Sequence, residues 1–248
     1  MPANPLKTPP DDLIAISRSL SRAVSRLRFT APVAHVYNPL TYAGAAYEEY
    51  LRKFAKSRKR ALFMGMNPGP YGMTQTGVPF GEIAAVRDWM KIQVPIKNPR
   101  SPHPKRPILG FECQRSEVSG SRLWGLFADR VGESVDVFAD HFVANYCPLV
   151  FLAESGANIT PDKLPAGEAR ALNEICDRHL IRVVERLNPE WLIGIGKYAE
   201  KRFRILFTDR DVKIGTVLHP SPASPAANKD WAGKASRQLV ELGLWSLT

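Results

Sequence analysis

Residues 65–82 form a loop whose composition restricts its shape, and the neighbouring elements must fit around it. Its sequence, GMNPGPYGMTQTGVPFGE, contains five glycines and three prolines in 18 residues. Proline fixes φ, and glycine permits sharp turns or a close approach of the backbone to a ligand. The apolar run ALFM at 61–64 directly precedes the loop and predicts a buried strand. We therefore expect a buried strand that leads into a rigid loop.

Four side chains in this loop can carry chemistry: the amide of Asn67, the rings of Tyr71 and Phe80, and the carboxyl of Glu82. One amide and two rings on a rigid loop suit a flat polar ligand. The alternative is an ordinary connection between a strand and a helix, in which Asn67 and the glycines only turn the chain. Loops of this length are often functional, which favours a ligand site.

Length and composition favour one large domain over residues 1–248, in which the proline-rich residues 1–10 are expected to be loose. Hydrophobic residues make up 44% of the chain, which is enough for a full core. No apolar run approaches the roughly 20 residues that span a bilayer. We therefore expect no signal peptide and no membrane segment, and a location in the cytoplasm of a bacterium or the nucleus of a eukaryote.

The chain carries a formal net charge of +10, which favours a polyanionic partner or an anionic membrane surface. Basic residues cluster at 53–60 and 97–106, although each cluster alone could be a solvated face. The three cysteines are widely spaced and include no Cys-x-x-Cys pair. This excludes a zinc cage or a four-cysteine iron–sulfur cluster within the chain and is typical of a reduced cytosolic protein.

Apolar periodicity and turn residues predict that helices and strands alternate along the chain. The predicted helices cover 11–27, 45–56, 82–91, 116–131 and 166–187, with another after Gly196 and a closing helix that ends at Leu242. The predicted strands cover 61–64, 191–195 and 212–218, and a fourth lies within 135–147 and ends at Asn145. Residues 94–107 contain five prolines and are predicted to form an extended loop.

Two other strand ends carry side chains of interest. Asn145 stands where open α/β sheets place their ligands, although an Asn before Pro148 could also cap a turn. His219 follows the last predicted strand, and a lone His at such a position can be structural or catalytic.

The sequence GIGKYA at 194–199 matches a G-x-G-x-x-A dinucleotide-binding pattern. The match comes late in the chain and lacks a clear βαβ unit with an acid at the end of the next strand. The glycines could instead let a helix N-terminus approach a phosphate, which DNA supplies as well as a cofactor does. A nucleotide-binding oxidoreductase and a non-catalytic nucleic-acid-binding protein therefore stay open as alternatives.

Three segments together resemble the single-strand-selective monofunctional uracil-DNA glycosylases, a family of the uracil-DNA glycosylase superfamily. They are the loop at 65–82, the strand end NYCP at 145–148 and the loop HPSPASPAANKDW at 219–231. The resemblance implies a three-layer α/β/α fold with a central four-stranded parallel sheet, and a monomer that needs no metal or cofactor. It also implies hydrolysis of the N-glycosidic bond of uracil and related bases, such as 5-hydroxymethyluracil or deaminated purines, in single-stranded and duplex DNA.

The resemblance further implies a role for each matching residue. It implies that Asn67 holds the attacking water and that His219 stabilises the departing base, while Phe80 stacks on the base and Asn145 reads its edge. The other residues that it places at the substrate are Met66, Gly69 and Tyr71. Those that it places at the DNA are Gly196, Lys197, Pro222, Ala223, Ser224, Pro225 and Lys229.

Two positions depart from the pattern of the resembled family. After HPSP the family usually has Arg and Asn, which form a wedge that enters the duplex, whereas this chain has Ala223 and Ser224. We therefore expect a stronger preference for single strands. Tyr71 replaces a Phe that is common in vertebrate members and keeps the ring. Gly69, beside the expected position of the base C5 atom, suggests room there.

Overall fold

The computed structural model describes residues 8–246, so most of the segment 1–10 that we expected to be loose lies outside the described residues. The expectation is wrong for Pro9 and Pro10, which begin the first helix. Proline suits this position because the first turn of a helix leaves its N–H groups unpaired and the ring presets φ. Asp11 and Asp12 follow in the first turn, where the helix dipole favours acids.

Helices and strands alternate through the described residues much as predicted. The α-helices of this range are α1 (Pro9–Val24), α2 (Pro39–Tyr42), α3 (Gly44–Phe54), α4 (Met73–Thr76), α5 (Val118–Val131), α6 (Ser134–Asp140), α7 (Ala166–Leu187), α8 (Lys197–Phe207) and α9 (Trp231–Glu241). The strands are β1 (His35–Tyr37), β2 (Ala61–Gly65), β3 (His141–Asn145), β4 (Val150–Leu152), β5 (Asn158–Ile159), β6 (Trp191–Ile195) and β7 (Lys213–Val217). No helix within residues 8–246 is both long and apolar enough to cross a membrane.

Four strands form a parallel sheet in the order β3–β2–β6–β7, which confirms the predicted α/β fold class. Helices flank the sheet and complete the three-layer arrangement. The central strands β2 and β6 are buried along their whole length, as the apolar sequences ALFMG and WLIGI require. The edge strand β7 is buried only in part.

The register of the sheet brings two predicted site segments together. Gly65, the last residue of β2, pairs with Asn145, the last residue of β3. The pairing continues beyond the strands, because Tyr146 N donates to Gly65 O and Cys147 N donates to Met66 O, both at 2.9 Å. The loop at 65–82 and Asn145 therefore start from adjacent points at the carboxyl edge of the sheet, where such sheets bind ligands.

The predicted helix over 82–91 is wrong in type. Residues Ala85–Trp89 form a π-helical turn, in which Met90 N donates to Ala85 O at 2.9 Å. The Glu82 carboxylate accepts a hydrogen bond from Ala85 N at 3.0 Å and so helps to fix where the turn starts. Single π turns are frequently found near functional sites.

A second sheet, antiparallel and in the order β1–β4–β5, was not predicted. Its strands have three, three and two residues, which is too short for an apolar period to show. Tyr37 of β1 packs with Val150 and Ile108 in a small apolar cluster beneath the proline-rich segment. The Tyr37 hydroxyl also donates to Arg106 O at 2.8 Å, so this sheet anchors the end of the segment at 94–107.

Candidate active site

A cavity of about 470 Å³ opens at the carboxyl edge of the parallel sheet. All the residues that were predicted to act on the base line it: Met66, Asn67, Gly69, Tyr71, Phe80, Asn145 and His219. Pro222 lines it as well, whereas the other predicted DNA-contacting residues lie outside the lining. The cavity therefore gathers side chains from three strand ends that are far apart in the sequence.

Asn67 is held at the start of the loop by its amide nitrogen. Its Nδ2 donates to Leu149 O at 3.2 Å and to Pro68 O at 3.4 Å. These contacts fix the amide and leave the carbonyl oxygen Oδ1 as an acceptor for a hydrogen bond. An acceptor fixed in this way can orient a water molecule in the cavity.

Phe80 presents its ring to the cavity from a strained backbone. Its φ of 53° lies in the left-handed region, which non-glycine residues rarely adopt. Trp124 Nε1 donates to Phe80 O at 2.8 Å and holds this conformation from α5. Gly65 leaves space for the ring, because a Cβ there would lie 2.5 Å from Phe80 Cζ. The ring is therefore pressed against the end of β2, and its centroid is 6.2 Å from that of His219.

Asn145 lies beside this ring. Its Nδ2 donates to the weak acceptor Met73 Sδ at 3.4 Å. Its Oδ1 faces the end of β2, where a Cβ on Gly65 would lie 2.9 Å away. The amide thus brings one acceptor and one weakly engaged donor to the cavity.

His219 follows β7 and is a hydrogen-bond donor toward the cavity. Its Nδ1 accepts from Ser221 N at 3.1 Å, which places the proton of the neutral ring on Nε2. Burial lowers the pKa of His219 and keeps the ring neutral near pH 7. Gly196 allows the ring to sit here, since its φ is 90° and a Cβ would lie 3.1 Å from His219 Cβ.

The loop after His219 is held from α5 and from within itself. Arg122 donates from Nη1 to Pro220 O at 3.0 Å and from Nη2 to Asn228 Oδ1 at 3.1 Å. Asn228 Nδ2 in turn donates to Pro222 O at 2.9 Å. A 3-10 turn follows at Pro225–Ala227. Ala223, Pro225 and Lys229 are exposed and Ser224 is half-buried.

The glycines of the sequence GIGKYA are explained by packing. A Cβ on Gly194 would lie 2.4 Å from Glu200 N, so this glycine lets α8 pack closely on β6. Lys197 is 84% exposed and pairs with Glu200 at 2.9 Å. The pattern therefore carries no support for the oxidoreductase alternative.

One cavity residue that the sequence reasoning missed is Glu117, which precedes α5. Its Oε1 fills the space beside Gly69, where a Cβ would lie 2.4 Å away, so the room expected at Gly69 is occupied by a carboxyl group. Oε2 is shielded from solvent and finds no hydrogen-bond partner among the described residues. Burial, and then the nearby charge of Glu82, raise the pKa of Glu117 to about 7. Glu117 falls near the start of the helix predicted over 116–131, and no feature of the local sequence marks its side chain as buried.

Within residues 8–246, no three His, Cys, Asp or Glu side chains come together as a metal site would require. The independence from metal that the resemblance implies stays a prediction.

Comparison with known proteins assigns the family. Residues 52–240 match the uracil DNA glycosylase superfamily. The chain is 46% identical over 230 residues to the single-strand selective monofunctional uracil DNA glycosylase of Mus musculus, covering 92% of this chain and 82% of that protein. The Bos taurus protein of the same name is also 46% identical, with 92% of this chain and 85% of that protein covered.

A solved structure supports the fold. The crystal structure of Pedobacter heparinus SMUG2 matches 96% of this chain and 99% of that chain with a TM-score of 0.71 at 16% sequence identity. The family match spans most of the chain and the mammalian relatives are similar over nearly all of it, so the chain belongs to the uracil DNA glycosylase superfamily.

Proposed function

We propose that this protein hydrolyses the N-glycosidic bond of uracil and related modified bases in DNA and leaves an abasic site. The observation that carries the proposal is the convergence of Asn67, Asn145 and His219 on one cavity beside the ring of Phe80. The relatives of the chain are named as monofunctional uracil-DNA glycosylases.

In this reaction the nucleophile can be weak, whereas the leaving group must be stabilised as it departs. As the bond between C1′ and N1 breaks, its electron pair leaves with the base and the sugar gains oxocarbenium character. A water oxygen then bonds to C1′ and gives up a proton, which the base anion takes up directly or through solvent. A neutral amide that orients this water is sufficient because the electrophile is strong, and Asn67 Oδ1 supplies such an acceptor.

His219 would stabilise the departing base. Its Nε2–H can donate to the base oxygen on which negative charge accumulates, and the bond from Ser221 N to Nδ1 holds the ring in this tautomer. By analogy with oxyanion-hole donors, one such hydrogen bond is worth about 2.7–4 kcal/mol. This contribution grows as the anion forms, so it lowers the barrier rather than strengthening ground-state binding.

Asn145 would select the base. Its carbonyl can accept from the N3–H of uracil and its NH₂ can donate to the neighbouring oxygen, displacing the weak contact to Met73 Sδ. Cytosine presents the reverse pattern and would leave both groups unpaired, which a buried site penalises strongly.

The base must leave the stack to reach this cavity, and flipping costs less from a single strand or a mismatch than from a paired duplex. We propose that Pro222, Ala223, Ser224 and Pro225 approach the opened strand, and that Gly196, Lys197 and Lys229 contact phosphates. Gly196 precedes the N-terminus of α8, which favours an anion, while Lys197 would exchange Glu200 for a phosphate. One chain supplies the whole lining of the cavity, so we propose that it acts as a monomer on both single-stranded and duplex DNA.

The test is incubation with single-stranded DNA that contains one uracil, with EDTA and without any cofactor, followed by cleavage at abasic sites. We expect one new strand break at the uracil and none in matched strands that contain cytosine or thymine at that position. An oxidoreductase or a non-catalytic DNA-binding protein would leave all three strands intact, and that result would refute the proposal.

A further inference from the structure

Two arginines beside the cavity share one acceptor, the hydroxyl of Tyr71. Arg106 Nη1 donates to Tyr71 Oη at 2.5 Å, and Arg115 Nη1 donates to the same oxygen at 2.6 Å. Both guanidinium groups also lie over the ring, with their Cζ atoms 5.6 Å and 5.2 Å from its centroid. Tyr71 lines the cavity that holds Asn67. Two positive charges are thus held together at the wall of the site.

Within residues 8–246, neither arginine forms an ion pair, whereas Arg202 is paired with Asp177 in the same molecule. Glu117 is close to Arg115 in sequence, but its carboxyl lies against Gly69, and its Oε2 has no hydrogen-bond partner in the part of the chain that the structure describes. Like charges held this close repel each other, and a bound anion would relieve the repulsion.

The pair is also partly fixed in place before any ligand binds. Arg106 is half-buried, its Nε donates to Gly156 O at 2.8 Å, and its own carbonyl accepts from the Tyr37 hydroxyl at 2.8 Å. Arg115 is exposed, so its guanidinium depends more on Tyr71 for its position. Each planar guanidinium keeps further N–H donors, in a geometry that suits phosphate oxygens.

We propose that Arg106, Arg115 and the Tyr71 hydroxyl form a phosphate clamp that holds one phosphodiester of the strand whose base occupies the cavity. The proposal rests on the DNA substrate of the proposed function. The hydroxyl organises both arginines, a task that the Phe common in vertebrate members of the family cannot perform. The clamp would hold the strand beside the cavity in a chain that has Ala223 where the wedge arginine is usual.

The test is a phosphate scan on a single strand that contains 2′-fluoro-2′-deoxyarabinouridine, whose glycosidic bond resists hydrolysis. Phosphates around this nucleotide are replaced one at a time by uncharged methylphosphonate, and the Kd of each strand is measured. Wild-type protein should show one position at which the replacement weakens binding by about tenfold, the loss expected for one charged contact. In R106Q/R115Q the same replacement should change the Kd by less than twofold, and the slope of log K against log salt should fall by about 0.7, the contribution of one phosphate.

The matched control is K97Q/R100Q, which removes the same amount of charge from exposed positions of the basic segment that contains Arg106 and should keep the wild-type response. Tyr71→Phe keeps the ring and loses only the shared acceptor, so its response should be reduced but present. If R106Q/R115Q does not fold, as judged by its thermal transition, the exposed R115Q alone is scanned. An unchanged scan in the arginine variants, or an equal loss in K97Q/R100Q, would overturn the clamp.

Uracil excision from an unmodified strand is measured on the same preparations. If the phosphate scan gives the expected result but the wild-type protein excises no uracil, the proposed function is refuted and the clamp is retained. Excision by wild-type protein with a flat scan would refute the clamp alone.

Discussion

Replacing Glu117 by Gln should stabilise the protein above neutral pH. The pKa of Glu117 rises from 4.5 to about 7, first because the carboxyl is buried and second because Glu82 is close. The fold therefore favours the neutral acid, while the unfolded chain ionises at lower pH. Stability is lost as pH rises from about 4.5 through 7, and the loss is complete above that range. At about 1.4 kcal/mol per pKa unit, the full loss is about 3 kcal/mol.

Gln has nearly the shape of the neutral acid and cannot ionise, so Glu117→Gln should remove this loss. Between pH 5 and pH 8, the stability of the variant relative to wild type should rise by about 2–3 kcal/mol, which corresponds to roughly 5–10 °C in Tm for a chain of this size. Urea titrations at each pH measure the difference directly. Glu112→Gln, at an exposed position, is the matched control and should show no such trend. A difference for Glu117→Gln that does not change with pH would refute the assignment of a buried neutral acid.

Three further predictions concern the cavity and the loop that follows His219. Asn145→Asp should slow uracil excision and bring the rate of any cytosine excision closer to that of uracil, because a carboxylate offers acceptors where the amide NH₂ stood. Unchanged uracil kinetics would show that Asn145 does not select the base. Gly65→Ala should slow excision tenfold or more, since the new Cβ would lie 2.5 Å from Phe80 Cζ, whereas Gly125→Ala, where nothing lies within 4 Å of the new Cβ, should leave the rate unchanged. Ala223→Arg should raise the single-turnover rate of excision from duplex DNA more than from single strands, because the new side chain can fill the gap left by a flipped base and contact a phosphate. Equal fold changes on the two substrates would show that this loop is not a wedge.

Elements with a sustained apolar pattern, or with a recognisable residue at their end, were predictable from the sequence. The bounds of α7 and β6 agree with the prediction to the residue, because Ala166–Leu187 keeps an apolar period and Trp191–Ile195 is a continuous apolar run. The end of β3 at Asn145 also agrees, and the strand order then places this residue beside Gly65. The short antiparallel sheet escaped prediction because strands of two or three residues carry no period.

The parts of the site that depend on distant contacts were not predictable from local pattern. Glu117 lies in the cavity because Gly69 has no side chain, a relation between two residues 48 positions apart that no spacing rule expresses. The position of Arg106 beside Tyr71 likewise depends on how β1 of the second sheet anchors the proline-rich segment, and Arg115 reaches the same hydroxyl from outside that segment. The sequence GIGKYA at 194–199 led to the opposite error. Its glycine pattern suggested a cofactor site, whereas Gly194 allows α8 to pack closely on β6.

The roles proposed for the cavity residues are tested most directly by the single-turnover rate at which Asn67→Ala and His219→Ala excise uracil from single-stranded DNA. The affinity of each variant for an abasic strand is measured on the same preparations. Loss of the water-orienting acceptor or of the donor to the departing anion should each reduce the rate by about 10² or more. Affinity for the abasic product should stay close to that of wild type, because neither role concerns binding of the strand. Excision by either variant at nearly the wild-type rate would contradict the role assigned to that residue, and wild-type rates in both would contradict the assignment of this cavity as the active site.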